Sequence, residues 1–210
     1  MYVVSQMPWE SLLPFLLACV VIESTPGPNM AFLTIVSATK GRRYGFAMVL
    51  GIALGLLIIG FAAAAGLATT ISNSPLLYQG LRIGGVLYLF WLAIEEWRDA
   101  DGDMDEGKDE IKGKLSYFQH GLVVNILNPK AGVFYITILP SFIDPSGAIL
   151  TQAIILTLIY VGIATLAHVL IVSLAGLLQP VLDNPNRKCI IRRALAIILA
   201  GIALWFGLSA

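Results

Sequence analysis

The sequence predicts an all-α integral membrane protein with six transmembrane helices, two of which are broken by proline motifs. Hydrophobic residues make up 58% of the 210 residues and charged residues 12%, against roughly 25% charged residues in an ordinary soluble domain. A soluble protein of this length could not bury so much apolar surface, whereas a bilayer can act as its solvent. The formal net charge is zero, so no basic field suggests a nucleic-acid partner.

Six segments contain the roughly 20 mostly apolar residues that a spanning helix needs. Their approximate bounds are 9–39, 44–70, 81–97, 118–139, 149–178 and 190–208. The chain has no Lys or Arg before Lys40, and a signal peptide requires such residues at its start, so we expect the first segment to be retained. We therefore predict a single transmembrane domain over 1–210. A re-entrant first segment is the alternative, and it would leave the N-terminus in the cytoplasm.

The basic residues predict the orientation of the chain. Eleven of the 13 Lys and Arg residues lie in the connections after the first, third and fifth segments, which the positive-inside rule places in the cytoplasm. Both termini are then external. The longest connection, 99–116, begins with an acidic, glycine-containing run that has nothing to bury, so we expect a solvated loop there and not a calcium site.

The two halves of the chain, about 1–98 and 117–210, have the same order of features. Each has a proline-broken segment, then a long segment, then a segment that ends in aromatic residues, and Pro28 would correspond to Pro129. Three spans per half require the halves to cross the membrane in opposite senses. Such inverted repeats are typical of transporters, whose substrate site lies near the midplane between the halves.

The first segment contains Thr-Pro-Gly-Pro-Asn at 25–29. Each proline removes an amide donor and clashes with the preceding turn, so a helix cannot continue through the motif. Unwound backbone in a membrane must be buried in protein or line a cavity. We expect the half-helix that starts at Pro28 or Asn29 to direct free amides at an anionic group. A simple proline kink is the alternative.

The fourth segment contains a second break, where Asn125 is followed by Asn-Pro-Lys at 128–130. Lys130 is then a cation at membrane depth, which costs at least about 2.5 kcal/mol and marks a functional candidate. Glu23 is its most obvious counter-charge. A purely structural ion pair, or a lysine that extends to the cytoplasmic surface, is the alternative interpretation.

Glu23 and His168 are the candidate carriers of a coupling proton. A carboxyl group in a low dielectric and an imidazole can both bind and release protons during transport, although a lone histidine is often a packing residue. We find no catalytic constellation and expect no cofactor. With only His120 and His168, far apart in the chain, we expect no metal site. Cys19 and Cys189 are predicted to be unpaired thiols.

Small residues recur in the second segment, where Gly51 and Gly55 form a small-xxx-small pair. This spacing favours close helix packing in lipid and would allow a homodimer. A substrate path lined by glycine is the alternative.

Three motifs together resemble the lysine exporter (LysE) family and, within it, the homoserine/threonine exporter (RhtB) branch. They are Thr-Pro-Gly-Pro-Asn at 25–29, Lys-Gly-Arg-Arg at 40–43 and Asn-Pro-Lys at 128–130, and the resemblance covers nearly the whole chain. It implies proton-driven efflux of amino acids across a bacterial inner membrane. It also implies a site built from the motif residues, namely Pro26, Gly27, Pro28, Asn29, Asn128, Pro129 and Lys130. Many relatives carry an acidic residue in the fifth span, where this chain has His168.

The leading hypothesis is a secondary exporter of amino acids or close derivatives, with proton antiport. The amides after Pro28 would hold the carboxylate, with Thr25 beside them, and Asn29, Asn125 or Asn128 would orient the substrate. An exporter of metal or other cations on the same fold is the runner-up, and it would need several carboxylates in the spans. A membrane-embedded enzyme and a scaffold protein are weaker alternatives, since neither explains two helix breaks beside a buried lysine.

Overall fold

The structure is a computed structural model that describes residues 9–25, 27–66, 75–99 and 110–177, together with 190, 193–194, 196–198, 200–201, 203–204 and 208. Its helices are α1 (Trp9–Ser24), α2 (Pro28–Thr39), α3 (Arg42–Ala64), α4 (Pro75–Asp99), α5 (Glu110–Ile126), α6 (Pro129–Val133) and α7 (Ile149–Ala175). A π-helical turn, Phe134–Ile138, and a 3-10 turn, Leu139–Phe142, extend α6. All described residues between 190 and 208 are helical.

The all-α membrane fold is confirmed within this described part of the chain. Helices α3 and α7 are each long and apolar enough to cross a bilayer, with mean hydropathies of 2.6 and 2.4. Two bent pairs, α1 with α2 and α5 with α6, each pass the same test when counted as one span, which gives up to four candidate spans. The arrangement of six spans as an inverted repeat stays a prediction.

Both proline motifs coincide with helix breaks. Helix α1 ends at Ser24 and α2 begins at Pro28, and the two pieces meet at an angle of 57°. Helix α5 ends at Ile126 and α6 begins at Pro129, with a bend of 51° between the pieces. In each case the proline occupies the first helical position, where its missing N–H breaks no hydrogen bond.

Helix α3 lies at the centre of the described bundle and packs against α5 and α7. A Cβ atom added at Gly51 would collide with the carbonyl oxygen of Phe118, and one added at Gly55 would lie 2.8 Å from Nδ2 of Asn125. Gly121 of α5 meets the backbone of Met48 in the same way. The glycines of α3 therefore allow close helix contact, as the packing interpretation predicts.

The turn between α2 and α3 depends on Gly41, whose φ of 106° lies in the region that favours glycine. The next residue, Arg42, donates a hydrogen bond from Nη2 to the carbonyl oxygen of Ser173 at 2.8 Å. That carbonyl is in the last turn of α7, where backbone C=O groups have no N–H partner within the helix. The basic turn at 40–43 is thereby attached to the end of α7.

Helix α5 begins at Glu110, eight residues before the predicted start of the fourth segment. Its additional turns pack on α3: a Cβ atom at Gly113 would lie 3.0 Å from Cε1 of Tyr44, and the rings of Tyr44 and Tyr117 are 5.3 Å apart. These contacts stabilise the first turns of α5, which precede the apolar segment that hydropathy detects. The rest of the predicted loop, 100–109, lies outside the described residues.

We expect Gly51→Ala to lower the stability of the protein, because the new methyl group would force α3 and α5 apart. Overpacking of this kind typically costs about 1–3 kcal/mol. Gly162→Ala is the matched control, since no neighbouring helix among the described residues lies within 4 Å of a Cβ atom there, and it should be neutral or stabilising by about 0.4–1 kcal/mol. Thermal unfolding of both variants in detergent micelles measures the difference. Equal melting temperatures would contradict the packing described above.

Candidate functional site

The carboxylate of Glu23, in the last turn of α1, lies at the centre of the candidate site and is 7% exposed. Its Oε1 atom accepts a hydrogen bond from the hydroxyl of Tyr160 at 2.9 Å. The ammonium nitrogen of Lys130 lies 3.8 Å from the same oxygen, and Nε2 of His168 lies 3.6 Å from Oε2. Burying a carboxylate is costly unless it is paired or hydrogen-bonded, and these three side chains supply its partners.

Lys130 connects the two helix breaks. It lies in the first turn of α6, and its ammonium group donates a hydrogen bond to the backbone carbonyl of Thr25 at 2.9 Å, just beyond the end of α1. A cation at a helix N-terminus opposes the helix dipole, so Lys130 needs acceptors from elsewhere. The Thr25 carbonyl accepts this hydrogen bond, the Glu23 carboxylate places a negative charge 3.8 Å away, and the lysine side chain extends into the first break.

Three asparagines occupy the space between the breaks. The side-chain amide of Asn29 donates a hydrogen bond to Oδ1 of Asn125 at 2.8 Å. Asn128 acts as the N-cap of α6, where its Oδ1 accepts from the backbone N–H of Lys130 at 3.0 Å. Oδ1 of Asn29 and Nδ2 of Asn125 are buried without a hydrogen-bond partner among the described residues. The pair therefore keeps one acceptor and one donor for another group.

The two half-helices begin differently. Asn128 caps α6 with its side chain, whereas Gly27 at the N-cap of α2 has no side chain to do so. The first backbone hydrogen bond to Gly27 comes from the N–H of Ala31, so the N–H groups of Asn29 and Met30 have no partner within α2. The start of α2 is consequently the available anion site of the two.

A small cavity joins these groups, with a volume of about 10 Å³. That is room for about one water molecule. Its described polar lining comes from α1, α2, α5, the start of α6, and α7. The residues are Glu23, Asn29, Asn125, Asn128, Lys130, Tyr160 and His168.

The sequence did not predict that aromatic side chains pack beside Glu23. The ring of Tyr160 stacks on Phe134 with centroids 3.6 Å apart, and the hydroxyl of Tyr135 donates to the carbonyl of Leu56 at 3.0 Å. Phe134 and Tyr135 begin the π-helical turn, and such turns are frequent at functional sites. Tertiary packing alone brings Tyr160 to Glu23, so no local signal in the sequence marks it.

A family description named LysE type translocator matches residues 20–210 of the chain. The chain belongs to this family. The match includes both helix breaks and all the polar residues of the cavity, and it confirms the resemblance given by the three sequence motifs. No solved structure matches the translocator.

Individual relatives agree with the family assignment. The chain is 27% identical over 209 residues to "Uncharacterized membrane protein YrhP" of Bacillus subtilis (strain 168). The aligned region covers 95% of this chain and 100% of that protein. The chain is 32% identical over 173 residues to a "Homoserine/homoserine lactone efflux protein" of Salmonella typhimurium, covering 77% and 82%. The protein of the same name in Salmonella typhi is 31% identical over 173 residues, with the same coverage. Together with its apolar helices, these relatives identify the translocator as a multi-pass bacterial membrane protein.

The structure brings together most of the residues that the sequence predicted for the site. Gly27 lines the cavity with the polar residues, and Pro28 and Pro129 begin α2 and α6. The hydroxyl of Thr25 donates back to the carbonyl of Val21 at 3.1 Å, so Thr25 contributes its backbone oxygen. Pro26 lies outside the described residues.

His120 and Cys19 are not among the described residues that line the cavity. His120 packs among the rings of Phe32, Trp91 and Tyr117. Cys19 is buried with a free thiol, and Cys189 is outside the described part of the chain. Within that part, no group of three His, Cys, Asp or Glu side chains is placed to hold a metal ion.

We expect Tyr160→Phe and Glu23→Ala to be energetically coupled, because the tyrosine hydroxyl donates directly to the carboxylate. Hydrogen bonds to charged groups contribute about 1.5–3 kcal/mol, so the double variant should be less destabilised than the sum of the single variants by about that amount. Unfolding of the four proteins in detergent measures the coupling. Tyr135→Phe with Glu23→Ala is the comparison cycle and should be nearly additive, since Tyr135 donates to Leu56. Additivity in the Tyr160 cycle would contradict the assigned contact.

Proposed function

We propose that this translocator exports small amino acids or close derivatives from the cytoplasm by proton antiport. The observation that carries the proposal is the meeting of the two helix breaks around one buried cavity that presents a carboxylate, an ammonium group and an uncapped helix N-terminus. A zwitterion needs these features together, namely an anion-binding site and a cation-binding site a few ångströms apart. The relatives named for efflux of homoserine and its lactone support the same class of substrate.

The start of α2 is the proposed site for the substrate carboxylate. Its free amides and positive dipole end favour an anion, and the unpaired Nδ2 of Asn125 adds a donor. Gly27 leaves this surface uncovered, since a side chain there would fill the space beside Lys130. The substrate would thus replace the side-chain cap that α2 lacks.

Glu23 is the proposed partner of the substrate ammonium group. Its contact with Lys130, at 3.8 Å, is longer than a hydrogen bond, and Lys130 donates to the Thr25 carbonyl instead. A substrate ammonium can therefore approach Glu23 without breaking a tight ion pair. Lys130 can remain at Thr25 or turn toward the substrate carboxylate.

Proton coupling follows if the proton and the substrate compete for the same carboxylate. A proton on Glu23 removes the charge that holds the ammonium group and so favours substrate release. His168 lies 3.6 Å from Glu23, and its Nδ1 has no hydrogen-bond partner among the described residues, which suits a group that passes a proton. Loading of Glu23 from outside and its discharge to the cytoplasm would then drive export.

Alternating access requires the cavity to open, since about 10 Å³ cannot hold an amino acid. The bends of 57° and 51° between the half-helices are natural hinge points, and rocking of one predicted half against the other would expose the site to each side in turn. Contact of the basic turn with α7 through Arg42 and Ser173 would have to loosen when the cytoplasmic side opens.

The runner-up, export of a metal or other cation, finds little support at this site. Such a substrate needs several carboxylate ligands, and Glu23 is the one acidic side chain among the described residues that line the cavity. Lys130 beside it would repel a cation.

We expect Glu23→Gln and Lys130→Ala each to reduce proton-driven efflux strongly in proteoliposomes loaded with radiolabelled homoserine as the probe. Glu23→Gln keeps the shape of the side chain but removes both the ammonium site and the proton carrier, so a pH gradient should no longer accelerate transport. Lys114→Ala, which removes an exposed cation of α5, is the control and should transport normally. Gradient-driven transport by both site variants at the unmodified rate would refute the assigned roles.

Gly27→Asp should block the proposed carboxylate site, because the new side chain can cap α2 and occupy its free amides. The backbone there is extended, with φ −154°, so any residue can adopt it. We expect better thermal stability together with a KM for homoserine raised about tenfold, in line with the ~1–2 kcal/mol that a helix N-terminus contributes to binding an anion.

Homoserine lactone provides the specificity control for this variant, since it keeps the ammonium group but has no free carboxylate. Its KM should change less than that of homoserine in Gly27→Asp. Gly27→Ala is the matched control, because its Cβ atom would meet Lys130 at an ordinary 3.5 Å and add no acceptor. Equal effects of Gly27→Asp on both substrates would contradict carboxylate binding at α2.

A further inference from the structure

A second cavity lies away from the transport site, between α4 and the helical residues near the C-terminus. Its volume is about 230 Å³, and its lining is almost wholly apolar, from Phe90, Ala93 and Ile94 on one side and Ala196, Ile197 and Ala200 on the other. An apolar cavity of about 150 Å³ can hold a benzene-sized molecule. This cleft therefore has room for a longer apolar group than the cavity at Glu23.

The cleft opens on the outer surface of the helices. Ile94 is 50% exposed, Trp97 42% and Ile197 61%. In a membrane protein such apolar surface faces lipid. Trp97 at one end matches the position of tryptophan at a membrane interface.

Two arginines are placed at the end of the cleft marked by Trp97. Arg98 contributes to the lining, and the guanidinium carbon of Arg193 lies 5.3 Å from the centre of the Trp97 ring. Arginine stays charged at any physiological pH, and its planar group binds phosphate oxygens in pairs. Among the side chains that the structure describes, the cleft thus has an apolar body and two guanidinium groups at the end marked by Trp97.

We propose that this cleft binds one anionic phospholipid, with an acyl chain between α4 and the C-terminal helical residues and the phosphate at Arg98 and Arg193. Charge complementarity decides the class of lipid, because two guanidinium groups favour a headgroup with net negative charge over a zwitterionic one. Basic pockets between transmembrane helices on the cytoplasmic side recognise anionic lipids in the same way. The proposal is independent of the transport mechanism, since none of these residues lines the cavity at Glu23.

Native mass spectrometry of the full chain tests the proposal, with phosphatidylglycerol and phosphatidylcholine of identical acyl chains as probes. We expect the 22.6 kDa chain to retain one phosphatidylglycerol, bound more tightly than phosphatidylcholine. Each interfacial arginine contributes about a fivefold gain in affinity. Arg98→Gln combined with Arg193→Gln should therefore weaken phosphatidylglycerol binding about 25-fold, to the level of phosphatidylcholine.

Two further variants separate the parts of the site. Lys114→Gln removes an exposed cation outside the cleft and should leave the preference intact. Ala200→Leu fills the cleft without altering the arginines and should weaken binding of both lipids. Inorganic phosphate should not compete at concentrations that leave the lipid bound, because it lacks the acyl chain.

The proposal fails if the wild-type chain shows no preference between the two lipids, a result that needs no variant to fold. It fails equally if the double arginine variant keeps the preference, or if Ala200→Leu binds both lipids as the wild type does. A lipid-free species of twice the chain mass that Ala200→Leu abolishes would show that the cleft is a contact between two copies instead.

Discussion

The described architecture depends on the hydrogen bond that the ammonium group of Lys130 donates to the backbone carbonyl of Thr25. Each proline motif leaves backbone groups without helical partners at membrane depth, and such groups are costly in hydrocarbon. Lys130 starts the second half-helix and donates to the Thr25 carbonyl that follows the end of α1, beside the Glu23 carboxylate. The second break therefore supplies a donor for the Thr25 carbonyl of the first, and the first supplies an acceptor and a negative charge for Lys130 of the second. Neither break would be stable in hydrocarbon without the other.

Close packing of α3 and α5 positions one side of this arrangement. The backbone of α5 approaches α3 because Gly51 and Gly55 have no side chains in the way. Asn125 consequently sits against Gly55 and meets Asn29 from α2 at 2.8 Å. Small residues with no chemistry of their own thus determine where the polar groups of the site can lie.

The breaks, Glu23 and Lys130 were predictable from the sequence because their causes are local. Proline stops a helix wherever it occurs, and a lysine within an apolar stretch needs a partner. Tyr160 and the Asn29–Asn125 pair were harder to predict, since residues 23 and 160 or 29 and 125 meet only through tertiary packing. The π-helical turn at Phe134–Ile138 and the start of α5 at Glu110 also depend on packing, which hydropathy does not report.

The geometry around Glu23 suits a group that must change partners. A tight buried ion pair with Lys130 would resist displacement, because breaking such a pair leaves an uncompensated charge. Here the uncharged hydroxyl of Tyr160 donates a hydrogen bond to the carboxylate, while Lys130 and His168 remain at 3.8 Å and 3.6 Å. The hydrogen bond from Tyr160 thereby fixes the position of Glu23, while no cationic side chain among the described residues forms a short ion pair with it. In the antiport proposed above, a substrate ammonium group and a proton would bind to this carboxylate in turn, and both could do so without first displacing a tightly bound lysine.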